Sequence, residues 1–334
     1  MKHFSALCIL MIFTIVHGFA QTPSSREVES AIRTISEIIK DNYVFAGKGE
    51  EIAKHLLQEF RNGRFKNVGS WKVLDSIATK VLRDFSGDGH LYVTYDPIKV
   101  QDLSAVKKEV NTDSGSDTFY YGEEAVKNNF GFKEAKILEG NIGYIKLSKI
   151  NLSERSLPVL IASMRFVSNT KALIIDLQDN GGGGSAIGAV FESYFLSKEI
   201  PLLEFKNRKG QIDIYKTVAW LVEPKYDKPL YIMVNPGTVS AAEAFAFALQ
   251  SRKRAIIVGQ RSAGAAHMNS WYPVNKHLYV SVSTGAPTLP GTEISWEQKG
   301  VQPEHVVEAG QELRFIKNLI EEGKNKGCEA VDRG

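Results

Sequence analysis

The sequence predicts an α/β fold: a mostly parallel sheet with helices against it, preceded by a small helical unit. Three observations carry this. From residue 139 onward, strand-like and helix-like patterns alternate along the chain. Two of the strand-like runs, "ALIIDL" and "PLYIMV", are almost wholly apolar and each leads into a helix. Such strands are buried on both faces, as in parallel sheets covered by helices. Before residue 97, by contrast, apolar residues recur at helical spacing in three successive segments.

In chain order, the first helix spans 24–43: Ser24 and Glu27 form a capping box, and Val28, Ile32, Ile35, Ile39 and Tyr43 make one apolar face. Ile52, Leu56 and Phe60 mark the second helix, and Leu74, Ile77, Ala78, Val81 and Leu82 the third. "DGHLYVTYDP" then switches to strand alternation after His90. Residues 98–138 are polar and poorly periodic and read as a linking segment with one short helix around 123–128. The core follows: "NIGYIKL" as a strand, a helix over 153–167, "ALIIDL", a helix over 185–196, "PLYIMV", a helix over 240–250, and "RAIIVG". The expected organisation is a leader over 1–20, a helical amino-terminal domain over 21–97, the linking segment over 98–138, and an α/β core over 139–334.

The leader has Lys2, an apolar run from Ala6 to Val16, and Gly18 and Ala20 before Gln21. This is the layout of a secretory signal peptide cleaved after Ala20, too short for a membrane span. The mature protein is expected to be exported, periplasmic or secreted, with no membrane span after cleavage. Its net charge, +3 over the whole chain, drops by one when Lys2 leaves, which gives no electrostatic case for nucleic acid. Cys328 is the only thiol of the mature chain, so no intramolecular disulfide forms in it.

Two motifs, "DLQDNGGGGS" and "NPGTVSAAE", fall at the carboxyl ends of buried strands, where ligand sites of such sheets lie. Ser240 in the second reads in two ways. It is a helix N-cap with Glu243 completing a capping box, or a nucleophile exposed by a turn beside the unpaired N–H groups of a helix start. The glycine run 181–184 is either a flexible turn or a backbone that approaches a substrate closely. It lacks the Lys-Ser or Lys-Thr of a phosphate loop. The histidines show no metal-ligand spacing, so neither metal nor cofactor is expected.

"ALIIDLQDNGGGG", "VNPGTVSAAEAFA", "VGQRSAGAAH" and "SWEQKGVQPEHVV", in this order, resemble the carboxyl-terminal-processing and tricorn-type serine peptidase family. Within it they are most similar to the branch that includes the repeats of interphotoreceptor retinoid-binding protein, and "VESAIRTISEIIKDNYVF" followed by "DGHLYVTYDP" resembles that branch's helical lead-in. The resemblance implies a crotonase/Clp-protease-like core with the active site in the cleft against the helical domain. It also implies peptide-bond hydrolysis on a peptide or protein substrate, and leaves a homo-oligomer open. Ser240 matches the nucleophile. Ala265 and Ala266 stand where the processing branch has a lysine, so the resemblance points to the tricorn-like set: His90 as base and Glu297 as its support, with Gly89 where that set has a serine. Ala241 and either Gly181 or Gly182 would supply the oxyanion hole, and His267 falls in the substrate-side loop. A secreted carrier of hydrophobic ligands is the alternative, distinguished by the ionisable His90, which a carrier does not require; an inactive interaction scaffold is a third.

Overall fold

The computed structural model describes residues 22–106 and 121–323; the leader and Cys328 lie outside the described residues. Helices α1 (Ser25–Asn42), α2 (Ala46–Arg61) and α3 (Trp71–Ser86) open the chain. At α1 the Glu27 N–H donates to Ser24 Oγ and the Ser24 N–H to Glu27, closing the expected box. α3 is capped by Ser70 and ends at Gly87, whose φ of 71° is the left-handed stop that glycine adopts without strain. Strand β1 (Tyr92–Tyr95) follows.

The helical unit does not close a core of its own. Ile32, Ile35, Leu56, Leu74 and Leu82 pack in one buried cluster with Leu91 and Val93 and with Leu278, Val280 and Val282 from far along the chain. Each fully buried Ile or Leu contributes about 1.5–3 kcal/mol. The helices are therefore held to the later strands by the same apolar burial that holds them to one another.

The segment read as linking contains helix α4 (Pro97–Val106), helix α5 (Glu123–Lys127) and strand β2 (Phe132–Leu138). β2 escaped the sequence pattern because it is an edge strand, exposed along most of its length. The remaining elements are β3 (Ile142–Leu147), β4 (Ile150–Leu152), α6 (Leu157–Phe166), β5 (Ala172–Asp176), β6 (Gly183–Ser185), β7 (Pro201–Asn207), β8 (Ile212–Lys216), β9 (Leu230–Val234), α7 (Ala241–Ser251), β10 (Ile256–Gly259), β11 (Met268–Pro273), β12 (Leu278–Thr288), β13 (His305–Val306) and α8 (Glu312–Glu321).

A six-stranded sheet runs β13-β10-β9-β5-β3-β2, parallel except for β2 at its edge. A second, antiparallel sheet runs β1-β12-β7-β8, with β11 also on β12. β4 and β6 form a short parallel pair. The buried parallel strands β5 and β9 are the ones expected from their apolar runs.

The helix expected over 185–196 is not formed. Ser185 pairs with Leu152 in the β4–β6 ladder, Gly188 has a φ of 71°, and only a short turn of 3-10 helix, Glu192–Tyr194, is present. Its apolar residues, Ala189, Val190, Phe191 and Phe195, are all buried, so burial on every side imitated the pattern of a helix. α6 begins at Leu157 instead of 153, with Pro158 in its first turn, a position that lacks an intrahelical partner for the missing N–H.

Candidate active site

Ser240 closes the loop between β9 and α7. The loop is tied down at each step: Asn235 N–H donates to Thr238 Oγ1, Thr238 Oγ1 donates to Leu177 O, and Val239 N–H donates to Asn180 O. Ser240 itself sits at φ 56°, ψ −117°, a conformation that costs a non-glycine residue about 1–3 kcal/mol. Glu243, fully buried, accepts the Ser240 N–H at 2.8 Å and also the N–H groups of Gly264 and Ala265 and the Ser262 hydroxyl. The residue expected to complete a capping box thus also ties the serine turn to the 262–265 loop.

His90, just ahead of β1, brings Nε2 to 3.3 Å from Ser240 Oγ, across 150 residues of sequence. Its ring is buried and its Nδ1 has no partner. Burial pushes the imidazole down to about 4; the charge of Asp88 opposes this, and those of His267 and Arg83 add to it. At neutral pH the ring is uncharged, with a nitrogen beside the hydroxyl ready to accept its proton.

Glu297 does not touch His90. Its Oε2 accepts the N–H groups of Ala266 (2.7 Å) and His267 (3.2 Å), and its Oε1 lies 3.8 Å from His267 Nδ1. Burial raises the carboxyl, against the charge of His267. The His267 side chain is turned into the protein. It is 7% exposed, its Nδ1 is 2.9 Å from Asp88 Oδ2, and it packs edge-on against Tyr43 and Phe45. Burial alone would lower His267, but the bond and charge of Asp88 and then the charge of Glu297 outweigh it and raise the ring. Asp88, which burial would raise, is held well below the usual carboxylate range by His267. Asp88, His267 and Glu297 bring donor atoms within 4.8 Å of one another, but His267 and Asp88 already satisfy each other as an ion pair.

The glycine run abuts the serine. A Cβ on Gly182, whose φ is 81°, would lie 2.8 Å from the Ser240 Cβ, so only glycine fits. Its N–H donates to Asn180 Oδ1 at 3.0 Å, and the Gly181 N–H donates to Ser148 O at 3.2 Å. Both glycine N–H groups proposed for the oxyanion hole are thus engaged within the protein in this conformation. Ala241 stands at the first position of α7, where a helix N–H has no intrahelical acceptor. Lys149, lowered by burial, donates to Gly181 O.

Sequence reasoning passed over Asp88, Tyr43 and Ser281, and took Glu243 only as a cap. The available signal was the Asp-Gly-His spacing, in which an aspartate can accept the N–H two residues on.

A parallel α/β sheet with a strained serine at a strand's carboxyl end and an imidazole beside it has the architecture of a serine hydrolase. The comparisons narrow this class. The signature of Peptidase family S41 matches residues 141–307, and that of the N-terminal domain of Peptidase_S41 in eukaryotic IRBP matches residues 24–126. The chain belongs to peptidase family S41. It is 31% identical over 166 residues to carboxyl-terminal-processing peptidase 2, chloroplastic, of Arabidopsis thaliana, covering 49% of this chain and 31% of that protein. It is 30% identical over 178 residues to the carboxy-terminal-processing protease of Bartonella bacilliformis, covering 51% of this chain and 40% of that protein. The match thus spans well under half the length of these relatives. Among solved structures, a putative peptidase from Parabacteroides merdae superposes with a TM-score of 0.60 at 17% identity, over 91% of this chain and 99% of that one. A lipoprotein from Streptococcus agalactiae does so with a TM-score of 0.58 at 16% identity, over 95% and 100%. At these identities the likeness is one of fold.

Proposed function

We propose that the protein is an exported serine peptidase that hydrolyses peptide bonds through Ser240 with His90 as its general base. The observation that carries this is the 3.3 Å approach of His90 Nε2 to a serine hydroxyl held at a strained φ of 56°. His90 takes the proton from Ser240 as the hydroxyl attacks the scissile carbonyl, then returns it to the leaving amine. The Ala241 N–H is the first oxyanion donor, and the glycine run supplies a second once Gly182 releases Asn180. Glu297 supports the base at one remove, through the His267 loop. No metal or cofactor takes part.

The helical amino-terminal domain delivers the base and the α/β core the nucleophile, so the cleft between them is the substrate site. The leader over 1–20 directs export to a periplasmic or secreted location, and among the described residues no helix is long and apolar enough to cross a membrane.

Labelling with a fluorophosphonate probe tests the reading. The mature protein is expected to label at Ser240, and Ser240→Ala and His90→Ala are expected not to. An unlabelled wild-type protein that binds a hydrophobic ligand would replace the peptidase with the carrier. A mature amino terminus other than Gln21 would remove the cleavage site assigned to the leader.

A further inference from the structure

The Ser240–His90 pair leaves unexplained what aims the imidazole. Among the described residues no carboxylate hydrogen-bonds to the ring, and its Nδ1 is unpartnered. The His90 main chain is held instead, from both sides. Its N–H donates to Asp88 Oδ1 at 2.8 Å, and its carbonyl accepts the Ser281 hydroxyl of β12 at 2.6 Å. Asp88 is 1% exposed and engaged through both oxygens: its other oxygen takes the Tyr43 hydroxyl and His267 Nδ1, each at 2.9 Å. Tyr43 comes from the end of α1, and His267 from the loop whose N–H groups Glu297 gathers.

On the reading that Ser240 and His90 are the catalytic pair, we propose that Asp88 is the positioning residue of the base, locked in place by His267 and Tyr43. An aspartate accepting the N–H two residues on fixes a tight turn by itself. Here that turn would be free to rock if the carboxylate could rotate about its own side-chain torsions. The two donors on Oδ2 prevent this, and Glu297 in turn holds the loop that carries one of them. The chain of contacts runs from Glu297 through the His267 loop and Asp88 to the His90 backbone. It accounts for an acid at position 297 that never reaches the imidazole.

Displacing a catalytic group by about 1 Å can cost a hundredfold in rate. Asp88→Ala is therefore expected to lower kcat by roughly ten- to a hundredfold with KM within about twofold. Asp88→Asn, which retains an oxygen for the His90 N–H, is expected to recover most of that loss. Equal loss in Asn and Ala, or a wild-type kcat in Ala, would overturn the proposal.

A second measurement needs no activity: the titration of the His90 ring by NMR, in the full mature chain carrying Asp88→Ala and, separately, Asp88→Asn, each with His267 in place. Asp88, His267 and Arg83 are the charged groups acting on this ring. Both substitutions remove the same anion, which by charge alone would lower the imidazole alike, and only Asn keeps an oxygen for the His90 N–H. A ring released from its buried place against Ser240 would instead titrate higher, towards an ordinary histidine. A rise in Ala relative to Asn supports the positioning role, and equal midpoints or a lower one in Ala overturn it. If the wild-type protein fails to label with the fluorophosphonate while the rise is seen, the peptidase reading falls and the positioning of His90 by Asp88 stands.

Discussion

Glu192→Gln should make the protein more stable at neutral pH, and by an amount that depends on pH in a calculable way. Glu192 lies in the core, 4% exposed, with the Tyr215 hydroxyl hydrogen-bonded to it and Oε2 unpartnered. Burial raises its carboxyl from 4.5 to about 7, against a smaller lowering by Tyr215. A group raised in the folded state binds its proton more tightly there, so folding is favoured while it stays protonated and loses stability as pH climbs from about 4.5 to 7. At 1.36 kcal/mol per unit, that interval corresponds to roughly 3 kcal/mol. Glutamine has nearly the same shape, still accepts from Tyr215, and does not ionise. Denaturant unfolding of wild type and variant at pH 4.5 and pH 8 gives the difference between the two proteins at each pH. The variant's relative stability should rise by about 3 kcal/mol over this range, whatever its offset at low pH. The other titrating groups, His90 and His267 among them, are common to both proteins and cancel. Parallel stability–pH curves for the two would refute a buried, proton-binding carboxyl at this position.

Other consequences concern the active site. His90→Ala should lower turnover at least about a hundredfold, and Ser240→Ala/His90→Ala should be scarcely slower than Ser240→Ala, because members of one catalytic unit are not additive; steady-state kinetics of the three variants read this. Gly182→Ala should abolish fluorophosphonate labelling and destabilise the fold, since its Cβ would meet the Ser240 Cβ at 2.8 Å and its φ is 81°; thermal unfolding and labelling together check it. His90, lowered to about 4 by burial, must be neutral to act as base. The acid limb of kcat/KM should therefore lie near pH 4 and not near 6.5, in assays kept brief enough for the protein to stay folded by circular dichroism.

The parts of the fold that could be read along the chain are those whose causes are local. α1 announces itself because Ser24 and Glu27 are three residues apart and its buried face repeats at helical spacing. β5 and β9 do so because every residue in them is buried. The antiparallel sheet is different: β1 pairs with β12 across more than half of the sequence, Tyr92 opposite Ser281, and β8 is mostly exposed. No window of residues contains that pairing. The same distinction divides the site. Ser240 and the glycine run are marked by their strand ends, whereas the approach of His90 to Ser240 spans 150 residues and was legible only through the family resemblance. Asp88 was marked only by the Asp-Gly-His spacing and Tyr43 only as the end of an apolar helix face, because what makes them matter together is an oxygen contact in the folded protein.

That non-local pairing also explains why His90 can be held accurately although it stands on a loop. His90 lies two residues before β1, whose register on β12 sets Tyr92 opposite Ser281, and the Ser281 hydroxyl holds the His90 carbonyl. In a ladder, a slip of one residue turns every side chain to the other face. Such a slip would put Val93 where Tyr92 stands and draw Leu91 and Val93 out of the cluster they share with α1–α3, so apolar burial opposes it strongly. The register that buries the helical unit against β12 is thus the register that sets His90 against the serine at the end of β9. Packing of the amino-terminal helices and placement of His90 beside Ser240 therefore rest on one register.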